Sequence, residues 1–209
     1  MEKQVKKRAA HKTRRTLIVG LLAIVLAALG WFFWGREKPM VEQPSVAHQT
    51  VQDNNRTFPE PTGDPQRLKL PAVSIDAAMT SVGLPADGVL NPPFDVAAWY
   101  NEGPRPGFAG PSVIVGHVDS RNGPNVFWDL HKVKVGDEVL VEYPSQAVTF
   151  VVTSTQTVPR NDLPTQQIWN KTDDQVLRLV TCIGEFSHTT REYSDNFIVY
   201  AKESGVLNR

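Results

Sequence analysis

Short apolar runs separated by turn residues occupy most of the chain from residue 67 onward, and they restrict the fold more than any other feature. Side chains of a strand point alternately to the two faces of a sheet, so such runs with Gly, Pro, Asn or Asp between them are typical of strands. Many short strands joined by turns predict an all-β fold, a closed or nearly closed barrel with short helices. The clearest runs are 112–118, 133–143, 147–158, 177–182 and 196–201.

Some segments carry weaker signals within this pattern. Pro71 cannot donate a ladder hydrogen bond, so we expect an edge strand where it interrupts the first run. Residues 96–100 indicate one helical turn, and residues 163–169 indicate one short helix. The run at 177–182 predicts a buried strand that Gly184 ends.

The first third of the chain has a different character. Residues 1–15 hold seven basic side chains against one acid, and Thr16 to Trp34 follows as nineteen residues without a charge. A helix of that length spans close to ~30 Å, the thickness of the hydrocarbon core. We therefore predict a basic cytoplasmic tail over 1–15 and one transmembrane helix over 16–34, with everything after it extracellular. A cleaved signal peptide is the alternative, but bulky aromatics occupy the expected small-residue cleavage site.

Two segments follow the predicted membrane span. Residues 35–66 scatter prolines among polar side chains and show no apolar period, which predicts a flexible extracellular linker. Residues 67–209 form the predicted folded domain, which carries twelve basic and sixteen acidic side chains. This mildly acidic balance lacks the basic footprint of a nucleic-acid-binding protein. The single cysteine excludes an internal disulfide.

Cys182 is the only cysteine and follows a buried run, so it is the candidate nucleophile. The thiolate is the reactive form, and it needs a base or a cation beside it. His117 ends the run 111–117 and is the best of the five histidines, because His131 and His188 lie in polar segments. Either residue alone is often structural, so the argument depends on the pair. No zinc or calcium spacing is present, and we predict no metal or cofactor.

The order of these two residues leads to a family. Leu179-Val180-Thr181-Cys182 is similar to the Thr-Leu-x-Thr-Cys signature of sortases, the cysteine transpeptidases of Gram-positive cell envelopes, with Arg178 in place of the first Thr. The resemblance runs from about Pro71 to Ala201 and includes Gly116-His117-Val118-Asp119 and Asp195-Asn196. The pattern resembles class F sortases most, and class E next.

The resemblance implies a sortase-like barrel as the catalytic domain of 67–209 and a defined reaction. Cys182 would cleave an LPxTG-like sorting signal after its Thr through a thioester, and the protein would pass to a cell-wall amine. His117 would pair with the thiol and protonate the leaving amine. The implied partners are surface proteins with sorting signals, a peptidoglycan precursor or other amine acceptor, and the membrane.

The resemblance also implies an arginine that supports the acyl oxyanion. Many relatives carry it directly before the Asp-Asn pair of the last strand, where this chain has Ser194. Arg191, three residues earlier, is the favoured candidate, and Arg178 is the other because it shares a strand face with the thiol. Asp119 is more typical of a solvated loop acid, although it could orient the histidine ring.

Three other classes of protein compete with this interpretation. An L,D-transpeptidase would show Ser-His-Gly-Cys around its nucleophile, and Val-Thr-Cys-Ile-Gly lacks that motif. A papain-like hydrolase would place its cysteine before its histidine, the reverse of the order here. An inactive wall-binding module is supported only by Ser194.

Overall fold

The computed structural model describes residues 58–86 and 88–208, so the predicted tail and membrane span lie outside the described residues. In this part of the chain the strands, in order, are β1 (Arg67–Leu70), β2 (Ile75–Val82), β3 (Ala97–Tyr100), β4 (Gly110–Val115), β5 (Asp119–Ser120), β6 (Gly123–Pro124), β7 (Glu138–Glu142), β8 (Gln146–Pro159), β9 (Gln175–Ser187) and β10 (Glu192–Asn208). Short 3-10 turns lie at Pro71–Val73 and Leu130–Lys132, and one helical turn, α1, at Thr165–Ile168. No helix within the described residues is long and apolar enough to cross a membrane.

Eight of these strands close into a barrel in the order β1-β2-β3-β4-β9-β10-β8-β7. The pairs β2–β3 and β4–β9 are parallel, and the other barrel pairs are antiparallel. β5 and β6 form a separate two-stranded ribbon. The all-β closed barrel predicted from the sequence is confirmed.

The barrel interior follows the alternation of the strands. Leu177 and Leu179 of β9 point inward and are fully buried, whereas Val180 belongs to a second cluster on the outer face. Residues 160–174 connect β8 to β9, and Ile168 of this connection packs into the outer cluster. The outer face of the sheet is therefore partly covered, and exposed side chains such as Ser154 and Thr155 lie on β8.

Three local predictions are wrong. The segment around Pro71 is no edge strand, because β1 pairs with both β2 and β7 and Pro71 itself begins a 3-10 turn. Residues 97–100 are a strand and not a helical turn, since β2 and β4 supply backbone partners on both sides. Gly184 does not end β9, which continues to Ser187. Gly184 sits instead at a register shift with φ of 92°, a conformation that suits glycine at a β-bulge.

The ordered fold also begins before Arg67. Phe58 is held by the amide of Gln175, which accepts from its backbone N–H and donates to its carbonyl oxygen, each over 3.1 Å. Arg105 donates to the carbonyl oxygen of Gly63. The last nine residues of the predicted linker, 58–66, thus contact the barrel.

Residues of β9, β10 and β8 align in rows on the outer face, because directly paired residues of neighbouring strands point to the same side. The rows, in the order β9, β10, β8, are Arg178, Tyr200 and Ser154; Val180, Ile198 and Gln156; and Cys182, Asn196 and Val158. Successive rows lie about 7 Å apart along the strands.

Candidate active site

Cys182 and His117 are brought together by a parallel strand pair. β4 and β9 run side by side with Val115 opposite Val180. His117 and Cys182 each lie two residues beyond their member of that pair. β4 has ended at Val115, whereas β9 continues past Cys182 to Ser187. The two paired strands lie about 4.8 Å apart, and both side chains are half-buried. The register therefore brings the backbone of the two predicted residues into the same region of the barrel.

The residues just before them lock this arrangement. Thr181 donates from its hydroxyl to the carbonyl oxygen of Gly116 over 2.8 Å. A Cβ on Gly116 would lie 2.7 Å from a ring carbon of Phe127 and 2.8 Å from a methyl of Val126. Only glycine fits this close approach. Thr181 is thus both a buried strand residue and a tie between the two halves of the site.

One ring nitrogen of His117 is hydrogen-bonded to the backbone. Its Nε2 lies 2.9 Å from the carbonyl oxygen of Pro92, and its ring stacks on Phe94 at 4.4 Å between centroids. A carbonyl oxygen only accepts, so Nε2 carries the hydrogen of this bond and Nδ1 is left to exchange a proton. Asp95 and Asn125 bond to each other twice and hold this covering segment in place. Pro92 and Phe94 were not predicted, and their only sequence signal was the turn at Asn91-Pro92-Pro93.

Asp119 has a different partner from the one considered in the sequence. Its carboxylate accepts a hydrogen bond of 2.5 Å from the hydroxyl of Tyr193, which also packs against Phe186 of β9. Burial, together with this carboxylate, raises the pKa of Tyr193 to about 12. Tyr193 therefore stays protonated and ties the segment after His117 to β10.

The thiol lies in a mixed electrostatic environment. Burial raises the pKa of the Cys182 thiol, the guanidinium of Arg160 lowers it, and the carboxylates of Asp119 and Glu192 raise it again. The net direction is upward, so the resting thiol is protonated near neutral pH. Formation of the thiolate then requires a proton acceptor, and His117 is the imidazole that follows the strand paired with β9.

The two predicted arginines lie apart from this pair. Arg191 is exposed in the turn between β9 and β10, with φ of 60° and its N–H bonded to the carbonyl oxygen of Ser187. Among the described residues, the Arg191 side chain makes no hydrogen bond or ion pair. Arg178 is buried two rows away from Cys182 on the outer face. Neither guanidinium is among the charges that shift the pKa of the thiol.

A third arginine, missed in the sequence, lies nearer. Arg160 follows β8, and its N–H donates to the carbonyl oxygen of Ser194 over 2.9 Å. Arg160 and Ser194 therefore form the next row on the outer face, two residues beyond the paired Val158 and Asn196. The guanidinium of Arg160 donates a hydrogen bond of 2.7 Å to the carboxylate of Glu192 on β10. The placement depends on the register of β8 against β10, which no local motif reveals.

No group of three or more His, Cys, Asp or Glu side chains in 58–86 and 88–208 is arranged to hold a metal ion. The chemistry available to the described residues is that of a thiol, an imidazole and a guanidinium. Such a set forms and breaks acyl bonds at a cysteine.

Comparisons with known proteins agree with this assignment. The Sortase domain family model matches residues 68–204. The fold is similar to sortase A from Listeria monocytogenes, at 17% identity and a TM-score of 0.54, covering 71% of this chain and 92% of that chain. It is similar to a Clostridium perfringens sortase D5 transpeptidase, at 19% identity, a TM-score of 0.51 and 70% and 83% coverage.

Sortase C from Streptococcus pneumoniae is similar at 19% identity and a TM-score of 0.52, with 68% of each chain covered. No curated protein sequence matches the chain. Because the family model spans well over half of the sequence, the chain belongs to the sortase family. It is a cysteine transpeptidase with a sortase-like barrel.

Proposed function

We propose that this chain is a membrane-anchored class F sortase that cleaves an LPxTG-like sorting signal after its Thr and transfers the protein to a cell-wall amine. The observation that carries the proposal is the parallel register of β4 and β9, which supports a site shared by His117 and Cys182, each two residues beyond the paired Val115 and Val180. The resemblance of residues 116–119 and 179–182 to class F sequences supports the class. The basic residues ahead of 16–34 support an anchor with a cytoplasmic N-terminus and an extracellular domain.

The first half-reaction forms the acyl enzyme. His117 takes the proton of Cys182, and the sulfur attacks the carbonyl carbon of the signal Thr. The carbonyl oxygen carries the negative charge until the carbon–nitrogen bond breaks. His117 then gives the proton to the departing amine, which leaves a thioester on Cys182.

The second half-reaction releases the product. An acceptor amine attacks the thioester carbonyl, and His117 accepts one of its protons. The carbon–sulfur bond breaks as the new amide forms, and the proton returns to the sulfur. The commitment of His117 Nε2 to Pro92 supports Nδ1 as the atom that shuttles the proton in both halves.

An arginine completes the proposed machinery by supporting the oxyanion. Arg191 is the candidate that the sequence favours. The contacts of the structure favour Arg160, because its charge acts on the Cys182 thiol and it lies one strand beyond Ser194. We place Arg160 in this role and keep Arg191 as the alternative that the experiments below distinguish.

The apolar outer face offers a surface for the signal peptide. Val115 and Val180 precede the paired His117 and Cys182, and Leu90 packs beside them. A floor of aliphatic side chains directly ahead of the nucleophile suits the Leu and Pro that precede the scissile Thr. This arrangement supports a peptide that runs along β4 and β9 toward the thiol.

The test offers short peptides to the purified full-length chain in detergent. Peptides with Leu-Pro-x-Thr-Gly and Leu-Ala-x-Thr-Gly cores are compared with a scrambled control, with and without triglycine as the amine. We expect cleavage after Thr and, with triglycine present, a ligated peptide by mass spectrometry. Absence of cleavage and ligation with every peptide would contradict the proposal and favour an inactive binding module.

A further inference from the structure

A polar groove lies on the outer face of the barrel, away from the thiol. It has a cavity volume of about 550 Å³ and is formed by β8, the β8–β9 connection and the row of Arg178. That row is two rows from Cys182, or about 13 Å along the strand. The lining side chains are polar or aromatic and include no carboxylate: Ser154, Thr155, Gln156, Gln166, Gln167, Asn170, Arg178 and Tyr200.

Arg178 is the only charged side chain in this lining, and it is 7% exposed. One Nη donates to the carbonyl oxygen of Leu177 over 3.0 Å and the other to the Oδ1 atom of Asn170 over 3.2 Å. The guanidinium also lies 4.8 Å from the ring centroid of Tyr200. Among the residues that the structure describes, Nε has no hydrogen-bond partner, and no ion pair includes Arg178.

The surroundings of the Arg178 guanidinium are unfavourable for its positive charge unless an anion binds beside it. A buried ion without a counter-charge loses its hydration, and neutral hydrogen bonds and a ring contact replace only part of it; burial accordingly lowers the pKa of Arg178. An arginine nevertheless keeps its proton in proteins. The two hydrogen bonds of Arg178 go to neutral acceptors and use only two of its five N–H groups. A neutral donor would be sufficient to link β9 to the β8–β9 connection, so these bonds alone do not account for a buried charge.

We propose that this groove binds the carboxylate of a small polar ligand against the Arg178 guanidinium. One positive charge balances a carboxylate, whereas a phosphate dianion would bring a second charge that no lining residue offsets. The planar fork of arginine matches the two oxygens of a carboxylate.

The surrounding groups suggest what else the ligand carries. Gln166, Gln167 and the hydroxyls of Ser154 and Thr155 offer both donors and acceptors at the groove wall. A carboxylate next to an amide, as at the C-terminus of a peptide or in an N-acyl amino acid, would satisfy them. The site uses no atom of the thiol–imidazole pair, so it stands or falls independently of the proposed reaction.

The test follows the Nε–H resonance of Arg178 in ¹H–¹⁵N spectra of the full-length chain in detergent micelles, assigned with Arg178→Lys. The probes are N-acetylglycine, its neutral amide and inorganic phosphate, at constant ionic strength. We expect a saturable shift with N-acetylglycine and a dissociation constant on the order of 1–10 mM. The neutral amide should give no saturable shift, and phosphate should bind at least about tenfold more weakly.

A second variant tests the proposal without replacing Arg178, whose substitution could unfold the protein. Asn170→Asp keeps the shape of the contact with Arg178 and supplies a carboxylate from the chain itself. We expect it to weaken N-acetylglycine binding at least about tenfold and to raise the melting temperature. Alkylation of Cys182 should keep its wild-type rate in this variant.

Three results would overturn the proposal. One is the absence of a saturable shift of Arg178 with N-acetylglycine. Another is binding of phosphate or of the neutral amide as tight as that of the carboxylate. The third is an Asn170→Asp variant that binds N-acetylglycine as well as the wild type does.

Discussion

Val115 of β4 is paired in parallel register with Val180 of β9, and His117 and Cys182 each lie two residues further along the chain. The pairing extends to Gly116, whose N–H donates to the carbonyl oxygen of Val180 over 3.3 Å, so it guides the backbone up to the residue before His117. Side-chain packing around Gly116 then fixes where the chain turns away from β4.

Gly116→Ala should disable the enzyme although it touches no substrate. The added methyl group would meet Phe127 and Val126 at under 3 Å, so the segment that carries His117 must shift. We expect a loss of stability of about 1–3 kcal/mol from overpacking. Acylation should slow by about 10²-fold, the cost typical of a ~1 Å misplacement. Thermal unfolding and single-turnover acylation measure the two effects.

Gly205→Ala is the matched control, because a Cβ there would meet nothing within 4 Å. It should keep wild-type acylation and change the unfolding free energy by less than about 0.5 kcal/mol. Equal acylation rates in Gly116→Ala and the wild type would show that close packing does not position the imidazole.

Arg160→Ala should slow acylation by about 10²–10³-fold, the usual cost of losing one oxyanion donor. Its ion pair with Glu192 is partly exposed, so the fold should lose no more than about 1 kcal/mol. Arg191→Ala, at an exposed turn, should stay within about twofold of the wild type. Single-turnover acylation of the two variants side by side decides between them. The reverse outcome would assign the role to Arg191.

Removal of the positive or the negative neighbour of Cys182 should shift the pKa of its thiol in opposite directions. Arg160 lowers the pKa of the thiol, so Arg160→Gln should move the pH profile of alkylation by iodoacetamide upward. Glu192 raises that pKa, so Glu192→Gln should move the profile downward. Glu138→Gln, at an exposed position on β7, serves as the control and should leave the profile unchanged. Shifts of Arg160→Gln and Glu192→Gln in the same direction would refute this electrostatic description.

The sequence predicted what depends on local alternation and missed what depends on register. Leu177 and Leu179 alternate with outward residues, which was enough to predict a buried strand that leads to the thiol. Residues 97–100 look helical because alanine is a good helix former, yet pairing with β2 and β4 overrides that preference. Gly184 resembles a strand breaker, although tertiary pairing uses it as a bulge.

The same limit applies to the site. Cys182 and His117 could be selected as candidates from the sequence because motifs surround each of them, and their roles stay predictions. Arg160 has no motif, and its place beside Ser194 results from how β8 pairs with β10, including a register shift at Tyr200. A contact set by strand register between distant segments is not visible in either segment alone.

The domain should be extracellular and tethered by residues 16–34. Seven basic residues precede this uncharged span, so the N-terminus should remain in the cytoplasm. Protease treatment of intact protoplasts should release a soluble fragment that begins within residues 35–57, ahead of the residues that contact the barrel. A cytoplasmic marker protein should stay intact in the same samples. Protection of the domain from protease would contradict the predicted topology.

The central claim is that Cys182 and His117 act together as nucleophile and proton shuttle, and intact-protein mass spectrometry of single-turnover acylation tests it most directly. With an LPxTG-like peptide, the wild type should gain one acyl adduct, mapped to Cys182. Cys182→Ala should gain none, and His117→Ala should form the adduct at least about 10²-fold more slowly. An adduct on Cys182→Ala, or a wild-type rate in His117→Ala, would contradict the account.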